Sequence, residues 1–153
     1  MANDYVTVEV KGLAELQTKL EALPEKLAKK SLRKAIRAGA AVFQNAMASL
    51  APKETGFEAE HISIRTRLSH DELAITAQVG PNNKVLRPER IGKIGRKGKE
   101  WGQRSAALVA RFLEFGTSRH GKKPFLSQAF ESNKAEALEA ITEKLREALK
   151  DLE

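Results

Sequence analysis

A long stretch between two prolines, Pro24 and Pro52, carries its apolar residues at helical spacing and most constrains the fold. Apolar or small residues recur there every three or four positions, which traces one face of an α-helix. They are Leu32, Ile36, Gly39, Phe43, Met47 and Leu50. Because Pro24 suits a helix start and Ala51-Pro52 ends the pattern, the sequence predicts a long helix over Glu25–Leu50. A glycine inside a helix costs about 1 kcal/mol relative to alanine, so Gly39 indicates a close approach of another backbone.

Shorter alternating patterns predict a small sheet. Apolar and polar residues alternate over Tyr5–Val10, which predicts a strand. Two further alternating runs, around Ile64 and Ile75, predict a β-hairpin with one buried face that is closed by Gly80-Pro81.

Helical spacing predicts a short helix over Leu13–Leu23 and a final helix that begins at Pro124, while Ala107–Glu114 fits either a strand or a short helix. Together these elements predict a single α+β domain over residues 1–153. Its mostly antiparallel sheet would pack against the long helix and the C-terminal helix.

The composition bounds the class of protein. With 41% hydrophobic and only 5% aromatic residues among 153, we expect incomplete burial within one copy, which a neighbour would complete. The chain has no cysteine, which excludes disulfides, thiolate metal sites and cysteine nucleophiles. No apolar run approaches the roughly 20 residues of a membrane helix, and the first residues lack a signal-peptide pattern. We therefore expect a soluble, cytoplasmic protein without a membrane partner.

The net charge of +7 is concentrated in one segment. Residues 1–83 carry 11 basic and 10 acidic side chains, whereas residues 84–104 carry 8 basic and 2 acidic ones. The segment Asn82–Ser105 is also rich in glycine and longer than the roughly 12–15 residues of an ordinary loop, so the sequence predicts a long, flexible and functional basic loop. Its basic residues are Lys84, Arg87, Arg90, Lys93, Arg96, Lys97, Lys99 and Arg104.

Two roles for this basic loop are about equally supported by its residues. It could contact the phosphates of double-stranded DNA, with salt-dependent affinity. It could instead order against an acidic face of a neighbouring subunit, for which the C-terminal helix is one candidate. Trp101 is the only aromatic residue in the loop, so base stacking and sequence readout are not expected.

No pattern predicts catalysis, a cofactor or a metal. His61, His70 and His120 are isolated and fit surface or turn positions better than metal ligation. The glycine-lysine stretch fails as a phosphate loop because Lys99 is followed by Glu100 rather than Ser or Thr. We therefore expect a protein that is not an enzyme.

Five short motifs occur in order between Gly12 and Phe130. They are Gly12-Leu13-Ala14-Glu15-Leu16 with Leu20, Ala35-Ile36-Arg37-Ala38-Gly39-Ala40, Ala51-Pro52-Lys53-Glu54-Thr55-Gly56, Phe112-Leu113-Glu114-Phe115-Gly116-Thr117, and Lys123-Pro124-Phe125-Leu126 with Ala129-Phe130. Together they resemble the neck and tail-completion (minor tail) proteins of tailed bacteriophages, of the gene product ten type of the Hong Kong lambdoid phages. After Thr55-Gly56 the family often has a leucine and then a basic or polar residue, whereas this chain has Phe57-Glu58-Ala59-Glu60.

The resemblance implies a virion structural protein that assembles in the host cytoplasm as a ring at the head–tail junction. Such a ring would lie between the head connector or head-closure protein and the tail terminator or tail tube, with DNA passing through its centre. A homo-oligomer of six copies is favoured over one of twelve. The resemblance does not extend to the DNA role of the basic loop.

The resemblance also implies that two motifs serve the fold and the interfaces rather than chemistry. Gly116 would supply a tight turn and Pro124 would start the final helix. For Phe115 and Phe125, core packing is favoured over subunit contact. The residues of the two motifs are Glu114, Phe115, Gly116, Thr117, Pro124, Phe125 and Leu126.

Two alternative functions are also compatible with the sequence. A tail terminator that caps the tail tube is a sister role in the same particle. A free-standing, non-specific DNA-binding protein would bind duplex DNA on its own with steep salt dependence.

Overall fold

The computed structural model describes residues 13–53, 57–69, 74–84 and 105–151. Their elements follow in the order α1 (Leu13–Glu21), α2 (Glu25–Leu50), α3 (Phe57–Glu60), β1 (Ile62–Leu68), β2 (Ile75–Pro81), α4 (Ala106–Phe115) and α5 (Phe125–Lys150). The fold is α+β, as predicted, and α2 has the predicted bounds. Of the two structures that Ala107–Glu114 could form, the helix is the observed one. The predicted strand Tyr5–Val10 lies outside the described residues.

Strands β1 and β2 pair as an antiparallel hairpin. The Asn82 N–H donates to the carbonyl of His61 at 3.0 Å, which sets Pro81 opposite Ile62. In this register Pro81 occupies a non-hydrogen-bonded position, where its missing N–H costs no ladder bond. Both residues belong to β2, which ends at Pro81, so the prediction that Gly80-Pro81 closes the hairpin is confirmed.

The predicted single buried face holds in β2 but not in β1. In β2, Thr76 and Gln78 are exposed between half-buried neighbours. In β1, Ser63 and Arg65 are half-buried as well. The Arg65 guanidinium donates to Oδ1 of Asn82 at 2.9 Å, so this polar side chain lies along the sheet instead of extending into solvent.

The described residues fall into two compact units. The first is drawn from Met1–Val42, Thr66–Ala77 and Lys134–Glu153, and the second from Phe43–Arg65 and Gln78–Asn133. Each unit has its own hydrophobic core. The core of the first consists of Leu16, Ala35, Leu145 and Leu149, with Leu20, Leu23 and Ile141 packed around it.

Gly39 lets two helices of the first unit approach closely. A Cβ atom at this position would lie 2.5 Å from Cγ1 of Ile141 and 2.9 Å from the carbonyl oxygen of Ala137, both on α5. Contacts that short cannot be accommodated without movement of one helix, and the Ala137 atom belongs to the backbone. The predicted packing role of Gly39 is confirmed.

The second unit packs the hairpin against helices. Its core joins Ile62 of β1 to residues of α2, α4 and α5, and Val79 of β2 packs against the same cluster. The rings of Phe43 and Phe130 stack nearby, with centroids 4.9 Å apart. The buried members are Met47, Ala51, Ile62, Ala110, Phe125 and Ala129.

The buried face of α2 is formed by small residues more than by the large ones of the predicted stripe. Ala35 and Ala40 are 0% and 4% exposed, whereas Leu50, the last residue of the helix, is 40% exposed. Small side chains allow neighbouring elements to pack near the helix backbone, so they become the most deeply buried. Leu50 shares the helical spacing of the other apolar residues but is exposed.

Candidate functional site

The segment that joins α4 to α5 holds both sequence motifs that the resemblance singled out. Helix α4 begins with a cap: the Ser105 side chain accepts a hydrogen bond from the backbone N–H of Leu108 at 3.3 Å. It ends at Gly116, whose N–H donates to the carbonyl of Phe112 at 2.9 Å. Gly116 has a φ of 77°, a backbone conformation that L side chains rarely adopt. The predicted tight turn at Gly116 is confirmed.

Glu114 caps the N-terminus of α5 from a distance of more than ten residues along the chain. Its Oε2 accepts the backbone N–H of Leu126 at 3.0 Å, and its Oε1 accepts the backbone N–H of Ser127 at 3.0 Å. The hydroxyl of Ser127 also donates to Oε1. These N–H groups belong to the first turn of α5, where they have no partner within the helix. A carboxylate at this end also interacts favourably with the helix dipole.

The environment of Glu114 favours its ionised form. The side chain is buried, with only 7% of the residue exposed. This burial raises the pKa of the carboxyl group, but the hydrogen bonds from the Ser127 hydroxyl, the Ser127 N–H and the Leu126 N–H outweigh it. The net result is a pKa below the ordinary glutamate value.

Thr117 organises the turn that follows. Its Oγ1 accepts the N–H groups of Arg119 and His120, at 3.3 and 3.1 Å, and its own N–H donates to the His120 carbonyl at 2.9 Å. The N–H of Lys123 then donates to the carbonyl of Leu113 at 2.7 Å, which returns the chain to the end of α4. Thr117 is therefore a turn residue, with its polar atoms engaged by backbone groups.

The two phenylalanines of the motifs differ in burial. Phe125, the first residue of α5, is 3% exposed in the core of the second unit, so the core-packing prediction is confirmed for it. Phe115 is 76% exposed, so the same prediction is wrong there. The buried face of α4 is formed by Ala106, Ala110 and Glu114, and Phe115 lies about 100° around the helix from Glu114.

The remaining motif residues complete the start of α5. Pro124 is exposed and immediately precedes the first residue of the helix, as predicted for a residue that starts it. Leu126 is half-buried and packs against the core of the second unit. The two motifs are brought together by this cap, since Glu114 binds the backbone at Leu126.

Most of the predicted basic loop falls outside the described residues. Of its basic residues, only Lys84 is described: it is exposed, and its backbone N–H donates to Oδ1 of Asn82 at 3.0 Å. The two roles considered for the loop therefore stay predictions. The other seven basic residues lie outside the described residues: Arg87, Arg90, Lys93, Arg96, Lys97, Lys99 and Arg104.

The carboxylate of Glu114 is occupied by structural hydrogen bonds. Both carboxylate oxygens are engaged by donors of α5, and no nucleophile or proton-transfer partner other than Ser127 touches them among the described contacts. Within the described ranges, no group of three or more His, Asp or Glu side chains could hold a metal ion. None of the helices in these ranges is long and apolar enough to cross a membrane. The sequence pattern included Glu114 in a motif but did not predict its capping role. That role becomes visible only in the fold, where the end of α4 lies next to the start of α5.

The fold and this site define a small α+β protein whose motif residues terminate and start helices. The chain belongs to the HK97-gp10-like family: the family model described as "Bacteriophage HK97-gp10, putative tail-component" matches residues 14–116. The family predicted from the sequence is therefore confirmed. No curated protein and no solved structure matches the chain significantly. A phage tail-component family supports a structural role in the virion.

Proposed function

We propose that this protein forms a homo-oligomeric ring at the head–tail junction of a tailed phage, with a central channel for DNA. Its neighbours would be the head connector or head-closure protein on one side and the tail terminator or tail tube on the other. Six copies are favoured over twelve. Membership in a phage tail-component family supports this proposal. So does the use of the Glu114 carboxylate as a helix cap, which is a structural role.

The observation that carries the proposal is the exposure of Phe115. It is 76% exposed, the highest value among the large hydrophobic residues that are exposed in the described part of the chain. Leu108, 38% exposed, lies seven residues earlier and therefore on the same face of α4. Burying a phenylalanine side chain contributes about 1.5–3 kcal/mol, so a neighbouring copy that covered this face would gain stability from it.

The basic loop would act within the assembled ring, against the DNA or the next subunit. Deleting Lys84–Arg104 should leave a folded monomer and abolish head–tail joining. Infectious particles assembled with the deleted protein would contradict this role.

A single substitution tests the ring itself. Phe115→Ser should leave the thermal unfolding of the monomer unchanged, because the side chain is exposed, and should weaken self-association in sedimentation velocity and negative-stain images. Leu50→Ser is the matched control, since Leu50 is also apolar and exposed but belongs to α2. Rings of unchanged size and stability with Phe115→Ser would contradict the proposed contact.

Position in the particle requires a second measurement. Cross-linking in assembled particles should join this protein to the head connector or head-closure protein. Exclusive cross-links to the tail tube would favour the tail-terminator role instead.

A further inference from the structure

We infer that one copy binds the next through oppositely charged faces of two helices, the N-terminal half of α2 and the C-terminal half of α5. This inference rests on the proposed ring and identifies a contact that would build it. Both faces belong to the first unit. The basic stripe consists of Lys26, Lys30, Arg33 and Arg37, and the acidic stripe consists of Glu136, Glu139, Glu143 and Glu147.

Each stripe follows helical spacing on an outward face. Steps of three or four residues keep the members of a stripe on one side of their helix. All eight side chains are exposed, while Ala35 on α2 and Leu145 on α5 are buried on the opposite sides. From first to last member, each stripe extends roughly 16 Å at the rise of an α-helix. The two stripes therefore match in length and in number of charges.

The arrangement is unfavourable for an isolated copy. Like charges four residues apart repel each other. Lys26 and Lys30 form one such pair, and Glu139 and Glu143 form another. Lys26 stands in the first turn of α2, where the helix dipole disfavours a cation. Glu147 stands near the end of α5, where the dipole disfavours an anion. A partner of opposite charge would relieve the cost at Lys26 and add to the relief that Lys144 already gives Glu147.

Some charges on the same helices are already neutralised locally, including Glu147 of the acidic stripe. Lys29 pairs with Glu25 on α2, and Lys144 pairs with Glu147 on α5. Glu147 also shares a groove of the first unit with Lys30, Lys34 and Asp151. The members of the stripes that lie away from this groove are Lys26, Arg33 and Arg37 on one side and Glu136, Glu139 and Glu143 on the other. These six side chains form the contact to be tested.

A second copy of this chain fits the pair of stripes better than DNA does. DNA phosphates would match the basic stripe alone and would leave the acidic stripe repelled. A second copy uses both stripes at once. Because the two surfaces differ, the contact is heterologous and leaves one free stripe of each sign on a dimer. Repetition then closes into a ring when the rotation between copies permits.

Charge reversal tests the contact with two variants and their mixture. The first variant is Lys26→Glu with Arg33→Glu and Arg37→Glu, and the second is Glu136→Lys with Glu139→Lys and Glu143→Lys. Each alone should sediment as a monomer with an unchanged far-UV circular dichroism spectrum, because its two stripes carry the same sign. An equimolar mixture should form rings of the wild-type size, since each variant then presents the stripe that the other lacks.

A matched control keeps both stripes. Lys53→Glu with Arg67→Glu reverses two exposed charges outside both stripes and outside the segment around Phe115, and it should assemble as the wild type does. The protein concentration below which wild-type rings dissociate should also rise with increasing salt, since exposed charges are screened.

The outcomes separate this contact from the proposed function. If both reversed variants still form rings of the wild-type size, the proposed contact is overturned and the proposed ring stands. A mixture of the two variants that stays monomeric also overturns the contact. Assembly of the first variant alone overturns it too, because the acidic stripe would then bind another cationic surface, such as the basic loop. If the first variant loses duplex DNA binding but forms unaltered rings, the basic stripe is a DNA-binding surface and the proposed contact is overturned. A wild-type protein that stays monomeric at all concentrations overturns the contact and the ring together.

Discussion

The carboxylate of Glu114, one residue before the end of α4, binds Ser127 of α5 twice. One oxygen accepts the backbone N–H at 3.0 Å and the same oxygen accepts the hydroxyl. The other oxygen binds Leu126 at 3.0 Å. One buried side chain thus satisfies backbone donors of the first turn of the C-terminal helix, and this arrangement carries the first two predictions.

Removing the Glu114 carboxylate should destabilise the fold. Glu114→Ala leaves two backbone N–H groups near the start of α5 without their acceptor, and we expect a loss of about 2–3 kcal/mol in the free energy of unfolding. Urea denaturation followed by circular dichroism measures it. Glu136→Ala, at an exposed position of the same α5 helix, should change stability by less than about 0.5 kcal/mol. An equal loss in both variants would contradict the capping role.

The contribution of Glu114 should depend on pH in a defined direction. Because folding lowers the pKa of this carboxyl group, its ionised form stabilises the folded state at pH values above the ordinary glutamate pKa. This contribution is lost as pH falls through the lowered pKa of the folded protein. The stability difference between wild type and Glu114→Gln should therefore be largest near neutral pH and should narrow below about pH 5. A difference that grows toward acid pH in urea titrations would be inconsistent with the lowered pKa.

Gly39→Ala should destabilise the protein although alanine favours helices. The new methyl group would lie 2.5 Å from Ile141 and 2.9 Å from the backbone oxygen of Ala137, so the helices must separate. Overpacking of this kind costs about 1–3 kcal/mol, whereas the better helix propensity of alanine gains about 1 kcal/mol. We therefore expect a net loss of up to about 2 kcal/mol. Thermal unfolding should show a lower midpoint for Gly39→Ala. Gly80→Ala is the control, because a Cβ there meets no atom within 4 Å.

Gly116→Ala should cost about 1–3 kcal/mol through backbone strain. At a φ of 77°, a Cβ would also lie 3.1 Å from the Lys122 nitrogen and 3.2 Å from the His120 oxygen. Gly121→Ala, in the same segment, has nothing within 4 Å of its Cβ and should be close to neutral. Comparable midpoints of urea denaturation for the two variants would argue against a special role of Gly116.

Periodicity was sufficient to predict the two long helices, α2 and α5. The spacing between Pro24 and Pro52 predicted α2 over its observed residues, and the glycine at position 39 predicted the close approach to α5. Local patterns could not decide between strand and helix for α4, because a short apolar run fits both. They placed the end of β2 at Gly80-Pro81, as observed, but only the register of the hairpin reveals that Pro81 takes a position without a ladder bond.

The site was harder to predict than the fold. The motifs were recognised as structural, but the bond between Glu114 and Ser127 depends on the turn that brings two helix ends together. The exposure of Phe115 was missed for a similar reason, since apolar character alone predicts burial and only the orientation of α4 decides which residue is left outside. Charge stripes on α2 and α5 were visible in the sequence only once the buried faces of both helices were known.

The family match ends at Gly116, while the groups that bind Glu114 come from residues 126 and 127. The residues that match the family model therefore do not contain all the groups that bind Glu114. A fragment cut at the end of the match would retain the acidic side chain with none of its donors, and it would have to expose that side chain or take up a proton. Any minimal version of this protein has to carry at least the first turns of the last helix.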